Sequence, residues 1–318
     1  MLLKNRLLSL LFLCSVIGAK AQQDKLLTHF IYDKMSINPG KTGVDLYNGI
    51  CATSIYRNQW DKVNGAPNSA VLNVEANLSK YFPGGVGLAF YHDAIGFARQ
   101  NNLLLNYSYP IQIGTGVLGL GVGIGIMNYG MNPDWVPPTN NPDQYLPAGF
   151  AATSIDANFG AYYHGKDFYA GISSTHLPAT LLKQSVNGFS QSYQTARHYY
   201  LMGGKTFNKV FGNAKSAIDV QALFRTDFVK FSADFNARYI YAMPNNKQVY
   251  GGITYRTSDA VAIMAGYTPF NNFTFGYSYD LTLNKLASIS RGSHELVVKY
   301  CYYLPPPPKQ KARHPRWL

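Results

Sequence analysis

Three stretches of this chain combine residue types that could do chemistry. His294-Glu295 sets an imidazole beside a carboxylate, the partners of a metal site or of a general base and its orienter. His92-Asp93 repeats the pairing, and Gly114-Thr115-Gly116-Val117-Leu118-Gly119 fits the G-x-G-x-x-G of dinucleotide binding. None is well placed for that work. Neighbours on a strand point to opposite faces, so His294 and Glu295 cannot both address one ion. His92-Asp93 ends a strand, where a structural hydrogen bond is the expected role. The glycine fingerprint needs a helix after it and an acid about 20 residues on. The chain instead continues as Leu120-Gly121-Val122-Gly123-Ile124-Gly125-Ile126, a strand with glycine at every second position. Those glycines thin one face so that something can pack closely against it.

The remaining catalytic signatures are missing from the sequence. There is no H-E-x-x-H and no G-x-S-x-G elbow. Cys51 and Cys301, read as exposed, have no nearby histidine in sequence to activate a thiolate. The expectation is a protein that is not an enzyme, with no cofactor and no metal site.

The elements that carry these residues are strands. Residues 231–239 show the pattern: Phe231, Ala233, Phe235, Ala237 and Tyr239 share one face, and Ser232, Asp234, Asn236 and Arg238 the other. Leu72, Val74, Ala76 and Leu78 likewise alternate with Asn73, Glu75 and Asn77, and Ile218, Val220, Ala222 and Phe224 with Asp219, Gln221 and Arg225. Charged residues on the inner face of a dry soluble core would be costly. A membrane barrel removes the conflict, with the apolar face in lipid and the polar face in a lumen.

Fourteen strand candidates fall at 48–57, 69–78, 84–92, 100–110, 115–128, 153–162, 166–174, 195–204, 215–224, 230–240, 247–256, 259–268, 272–280 and 292–303. Most approach the roughly ten residues that cross a bilayer at a tilt. The number is even, as a bacterial outer-membrane barrel requires. If both termini are periplasmic, the two longest connections, 129–152 and 175–194, face outside, and most inner connections are short. The first of these two loops carries Trp135 among prolines, the kind of aromatic anchor favoured in interfaces.

The expected fold is therefore all-β: a transmembrane antiparallel β-barrel of outer-membrane type, about 14 strands, over residues 48–303. Composition agrees. Only 14% of residues are charged, against roughly a quarter in soluble domains, and tyrosine supplies 25 residues. Abundant tyrosine suits aromatic girdles at the membrane interfaces.

The chain ends read separately. Residues 1–21 have the form of a secretory signal: Lys4 and Arg6, an apolar run, then Ala19-Lys20-Ala21. Removing it takes three of 28 basic residues and none of 16 acidic ones, which leaves a net charge of +9. Export argues against nucleic acid as the partner of that basic excess. Residues 22–47 form an extended or partly helical lead-in, suited to folding into the lumen. Four prolines at 305–308 end the ladder, and the basic tail 304–318 finishes with Trp317-Leu318. This tail suits a periplasmic docking peptide with Trp317 as its anchor. Two cysteines after the signal exclude a disulfide scaffold. A single bridge would need the barrel seam to bring first and last strands together.

Several local patterns resemble the PorP/SprF family of outer-membrane proteins found with type IX secretion and gliding machinery. Ser36-Ile37-Asn38-Pro39-Gly40-Lys41-Thr42-Gly43 is similar to the family's N-P-x-x-x-G lead-in. Tyr56-Arg57-Asn58-Gln59-Trp60 followed by Gly65-Ala66-Pro67 resembles its Y-R-x-Q-W…G-x-P block. Gly85-Val86-Gly87-Leu88 with His92-Asp93 and Ile95-Gly96 resembles its G-x-G…D-x-I-G segment. Gly276-Tyr277-Ser278-Tyr279-Asp280 and Gly292-Ser293-His294-Glu295 resemble its closing Y-S-Y-D…G-S-H-E strands. The chain departs at Pro39-Gly40, where many members follow proline with another small or aromatic residue, and the tetraproline tail has no counterpart in the pattern.

The resemblance implies an outer-membrane barrel that works by binding other proteins. It would hold a secreted adhesin, or that protein's C-terminal sorting domain, at the cell surface and link to periplasmic parts of the apparatus. The motif residues just named, with Trp135 and Trp317, are the candidate contacts. A diffusion channel or solute transporter is the alternative, because a polar lumen serves either role. Closure of the barrel would make neighbours of the Arg57 and Trp60 block and of Asp280 with His294-Glu295, and a polar cluster tying the seam is expected there.

Overall fold

The computed structural model describes residues 24–46, 48–77, 82–133, 149–186, 189–270 and 272–304. The signal stretch, Trp135 and the tail with Trp317 lie outside the described residues.

The period-two segments become strands, and the strands close on themselves. In chain order they are β1 Gly49–Asn58, β2 Asn68–Asn77, β3 Gly85–Ile95, β4 Ala98–Ile113, β5 Gly116–Met131, β6 Phe150–His164, β7 Phe168–Thr175, β8 Leu181–Val186, β9 Phe189–Gln194, β10 His198–Asn208, β11 Ser216–Thr226, β12 Phe231–Met243, β13 Lys247–Arg256, β14 Ala260–Phe270, β15 Phe273–Thr282 and β16 Ser293–Tyr303. All except β8 and β9 form one closed antiparallel barrel, with β1 pairing both β2 and β16. Every one of the fourteen expected strands is present. Closure satisfies all the ladder hydrogen bonds in the membrane and leaves no edge.

The faces sort as the alternation predicts. Outward residues include Leu72, Val220, Phe231, Phe235 and Tyr239, all exposed, while Asn73, Glu75, Asp219, Gln221, Asp234 and Asn236 turn inward and are buried. Leu105, Ile124 and Ile155 are each more than 60% exposed, which suits contact with hydrocarbon and not with water. Among the described residues no helix is long and apolar enough to cross a membrane; the strands do the crossing.

Two features exceed the sequence reading. The second long connection carries its own hairpin, β8–β9, which leans inward on β4–β6. Leu182 packs with Met127 and Phe150, and Tyr193 stacks on Tyr129 at 3.6 Å and bonds Gln100 at 3.2 Å. Cys51 and Cys301 are buried and bridged, and they face each other across the β1–β16 register. Their expected exposure is thus corrected: both point into the lumen.

The lead-in fills that lumen. It runs through a 3-10 turn at Phe30–Tyr32, one α-turn at Lys34–Ile37 and a second 3-10 turn at Pro39–Lys41. Leu27 through Ile31 and Met35 through Gly43 are all buried. Its path runs from one mouth of the barrel to the other. Asp24 gathers with His176 and His198, at the barrel end where β7 stops and β10 starts. Leu46 packs on Cys51 and Cys301 near the opposite end, where Gly49 pairs Tyr303. Asp24 and the Tyr303 end of β16 therefore lie at opposite mouths of the barrel, because the lead-in travels the length of the lumen before entering β1.

Candidate functional site

The barrel seam and the lead-in meet in one buried charge network. Register places Arg57 of β1 opposite Glu295 of β16, and Ser278 of β15 opposite Glu295 on the other side. Arg57 holds Asp280 at 2.7 Å and Glu295 at 3.0 Å. Arg256 reaches the same Asp280 at 3.4 Å and Asp234 at 2.7 Å. The lead-in completes the cluster. The Thr28 amide donates to Glu295 at 2.8 Å, and its hydroxyl donates to Asp280 at 2.8 Å while accepting from Arg57 at 3.0 Å. The His29 amide donates to Glu295 at 2.5 Å, and His29 Nδ1 lies 2.8 Å from the same carboxylate. Arg57, Asp280 and Glu295 are almost fully buried. Charges so deeply placed persist only when paired and hydrogen-bonded.

This network realises the seam cluster only in part. Trp60 stays at the rim with φ +50, its amide donating to Ser293 Oγ at 3.1 Å. His294 points to the outer face and meets the Tyr277 hydroxyl at 2.7 Å. Strand alternation separates it from Glu295, as the spacing requires.

On the opposite wall the lead-in is gripped by shape. Asn38 donates to the carbonyls of Ala161 at 3.0 Å and Ile172 at 3.3 Å, and accepts from the Gly40 amide at 2.9 Å. Pro39 and Gly40 lie directly on the glycine face of β5. A Cβ on Gly121 would meet Gly40 N at 2.3 Å, and one on Gly119 would meet Gly40 O at 2.0 Å. Gly119 and Gly121 therefore form the groove for Pro39-Gly40, the close packing expected of the alternating glycines, whereas Gly123 and Gly125 approach Asn106 and the Leu103 backbone of the neighbouring strand. Below them Lys41 pairs with Glu75, and with Asp45 at 3.1 Å. The buried Lys41 ammonium is thus paired with two carboxylates, as a charge so placed requires.

The other motif residues shape the rim at the β1–β2 connection. Gln59 is buried, its amide donating to the Pro67 carbonyl at 2.9 Å, and the Gly96 amide donates to Gly65 O at 2.9 Å. Gly65 and Gly96 both take positive φ, +73 and +54, the region glycine enters without strain. Asp93 accepts from Ser69 at 2.7 Å, while His92 bonds Asn101 at 2.7 Å, so that dipeptide is structural. Tyr56 faces outward, its hydroxyl 3.3 Å from Asn68, and Tyr279 donates to Arg291 O at 2.8 Å. Together these turns enclose a polar cavity of about 310 Å³ that Trp60, Asn64, Gly96 and Arg99 help to line.

Sequence reasoning missed Asp24, His176 and His198. They lie far apart in the chain, yet their ligand atoms come within 4.8 Å of one another. No linear spacing could reveal this, because β7, β10 and the lead-in meet only in the folded barrel.

Among solved structures the chain is similar to the Ralstonia pickettii toluene transporter TbuX, at 11% identity and a TM-score of 0.53, over 86% of this chain and 94% of that one. It is also similar to the CymD monoaromatic hydrocarbon channel, at 10% identity and a TM-score of 0.51, over 86% of this chain and 93% of that one. At such identities the likeness concerns the outer-membrane barrel fold. No curated protein matches the chain. The sequence pattern of one family, described as type IX secretion system membrane protein PorP/SprF, matches residues 19–300 and so takes in both the lead-in and the barrel. The chain belongs to the PorP/SprF family of type IX secretion system membrane proteins, and it is an integral outer-membrane barrel.

Proposed function

We propose that this barrel is a plugged, non-enzymatic scaffold that anchors or assembles a secreted surface protein at the outer membrane. The observation that carries this reading is the filled lumen. Residues 24–46 occupy the space a diffusing solute would need, and both charge and shape hold them there. A barrel with its interior committed in this way has its mouth and loops left for function. The end bearing the hairpin β8–β9 and the Trp60 rim faces outside, by the rule that outer-membrane barrels carry long loops outward and short turns inward. The secreted adhesin, or its C-terminal sorting domain, docks at that end. The short turns and the C-terminal tail face the periplasm, where the tail meets secretion or motility components. Residues 1–21 are the cleaved signal. Family membership supports the association with secretion machinery.

The test separates this scaffold from a solute channel. Tagged protein purified in mild detergent is analysed by mass spectrometry and then reconstituted in planar bilayers. Recovery of a large exported protein together with closed bilayers is the expected result. Recovery of the barrel alone with steady single-channel conductance would replace the scaffold with a channel.

A further inference from the structure

We propose that Asp24, His176 and His198 form a binding site for one divalent transition-metal ion of the zinc type, which clasps the start of the lead-in to the barrel wall. Their donor atoms, one carboxylate oxygen and two imidazole nitrogens, lie within 4.8 Å of one another. Ligands held about 2 Å from zinc in a tetrahedron sit a little over 3 Å apart, so small side-chain rotations close the set onto an ion. Two imidazoles with a carboxylate suit zinc and its neighbours and disfavour calcium or magnesium, which take oxygen ligands.

The surroundings are those of a ligand set. His176 Nδ1 faces Asp156 Oδ2 at 2.9 Å, which leaves Nε2 as the ligating nitrogen. His198 Nδ1 faces the Ala196 carbonyl at 3.1 Å. With an ion on the other nitrogen, the carboxylate or carbonyl near each Nδ1 would accept its proton and hold the ring, the usual outer shell of a metal histidine. Asp24 is itself oriented: Tyr200 donates to Oδ2 at 2.5 Å and the Lys25 amide to Oδ1 at 2.8 Å. His176 takes φ +55, a left-handed conformation uncommon for any residue but glycine, and its amide donates to the Asn158 side chain at 3.0 Å. A cavity of about 30 Å³, room for one ion or water, opens among the three side chains, with Asp93 and Gln100 on its far wall. The neighbouring cations Lys25 and Arg225 are paired with carboxylates of their own, Asp33 and Asp234.

An ion here would tie three separate elements together at the mouth of the barrel. It joins Asp24 of the lead-in to His176, just past the end of β7, and to His198 at the start of β10. The clasp does not depend on which side of the membrane this mouth faces, nor on the scaffold reading above.

The experiment uses the full-length protein in detergent, carrying a tag without histidine, stripped with a chelator and titrated with zinc alone. The expected result is one tightly bound zinc per barrel by elemental analysis, with proton release on binding. Cobalt in its place should give the visible spectrum of a tetrahedral nitrogen and oxygen site. The double variant His176→Ala with His198→Ala should bind at least a hundredfold more weakly, and Asp156→Asn about 10–100-fold more weakly, as outer-shell losses do. Heat-modifiable migration on gels confirms that each variant still forms its barrel. Zinc should also slow proteolysis of the lead-in in wild type and not in the double variant. Less than one equivalent bound to wild type, or equal affinity in wild type and a folded double variant, would overturn the proposal.

Discussion

The lead-in is held on two sides of the lumen by opposite kinds of force. On the seam side, Thr28 and His29 enter a network of Arg57, Arg256, Asp280 and Glu295, where charge does the holding. On the facing wall, Asn38-Pro39-Gly40 lie in a groove that exists because β5 lacks side chains at Gly119 and Gly121. The seam tolerates no loss of a partner, and the groove tolerates no gain of an atom. One segment is thus placed with both an electrostatic and a steric lock, and the two should fail in different ways.

The largest effect should come from the seam. Arg57→Ala leaves Asp280 and Glu295 short of their central cation, and a buried pair broken on one side costs about 3–5 kcal/mol. Urea unfolding in detergent, compared with wild type, measures it. An equally stable Arg57→Ala barrel would show that Arg256 alone can neutralise the cluster.

Next comes the groove. Gly121→Val places atoms where the Pro39 and Gly40 backbone lies, and overpacking of this sort costs about 1–3 kcal/mol. Here the relief is displacement of the lead-in and not unfolding of the barrel. The expected readout is a rise in bilayer conductance with modest loss of stability. A closed and stable Gly121→Val barrel would mean that the lead-in adjusts in place.

A smaller loss is expected for Asn38→Ala, which removes donors to the Ala161 and Ile172 carbonyls while the groove stays intact. Each such hydrogen bond contributes about 0.5–1.5 kcal/mol. Amide hydrogen exchange across residues 34–43 should quicken while exchange in β1 and β16 does not. Equal quickening at the seam would tie the two locks into one cooperative unit.

The smallest effect belongs to His294→Ala. Although adjacent to Glu295, it faces outward and bonds Tyr277 at 2.7 Å, so its loss should stay within about 0.5 kcal/mol by the same unfolding assay. A loss rivalling that of Arg57→Ala would overturn the assignment of opposite faces to these neighbours.

Much of the fold was legible in the sequence, and the illegible parts share a cause. Strands such as β12 declare themselves through Phe231, Asp234, Phe235 and Asn236, because pleat alternation is a local property. The glycines of β5 announced a close approach without naming what approaches. Arg57, Asp280 and Glu295 were legible as seam partners because closure makes β1 and β16 neighbours, but Thr28, His29 and Arg256 were not. The hairpin β8–β9 escaped notice because its short segments sit in a loop whose pairing is with itself.

By itself the sequence determined that this chain would be an outer-membrane barrel of fourteen strands, since alternation and turn spacing are written residue by residue. Only the tertiary structure decided that Asp24 begins at one mouth, that Asn38-Pro39-Gly40 lies on β5, and that His176 and His198 converge. Those outcomes depend on the stagger of strands around a closed cylinder, which sets the distance between residues that no local pattern relates.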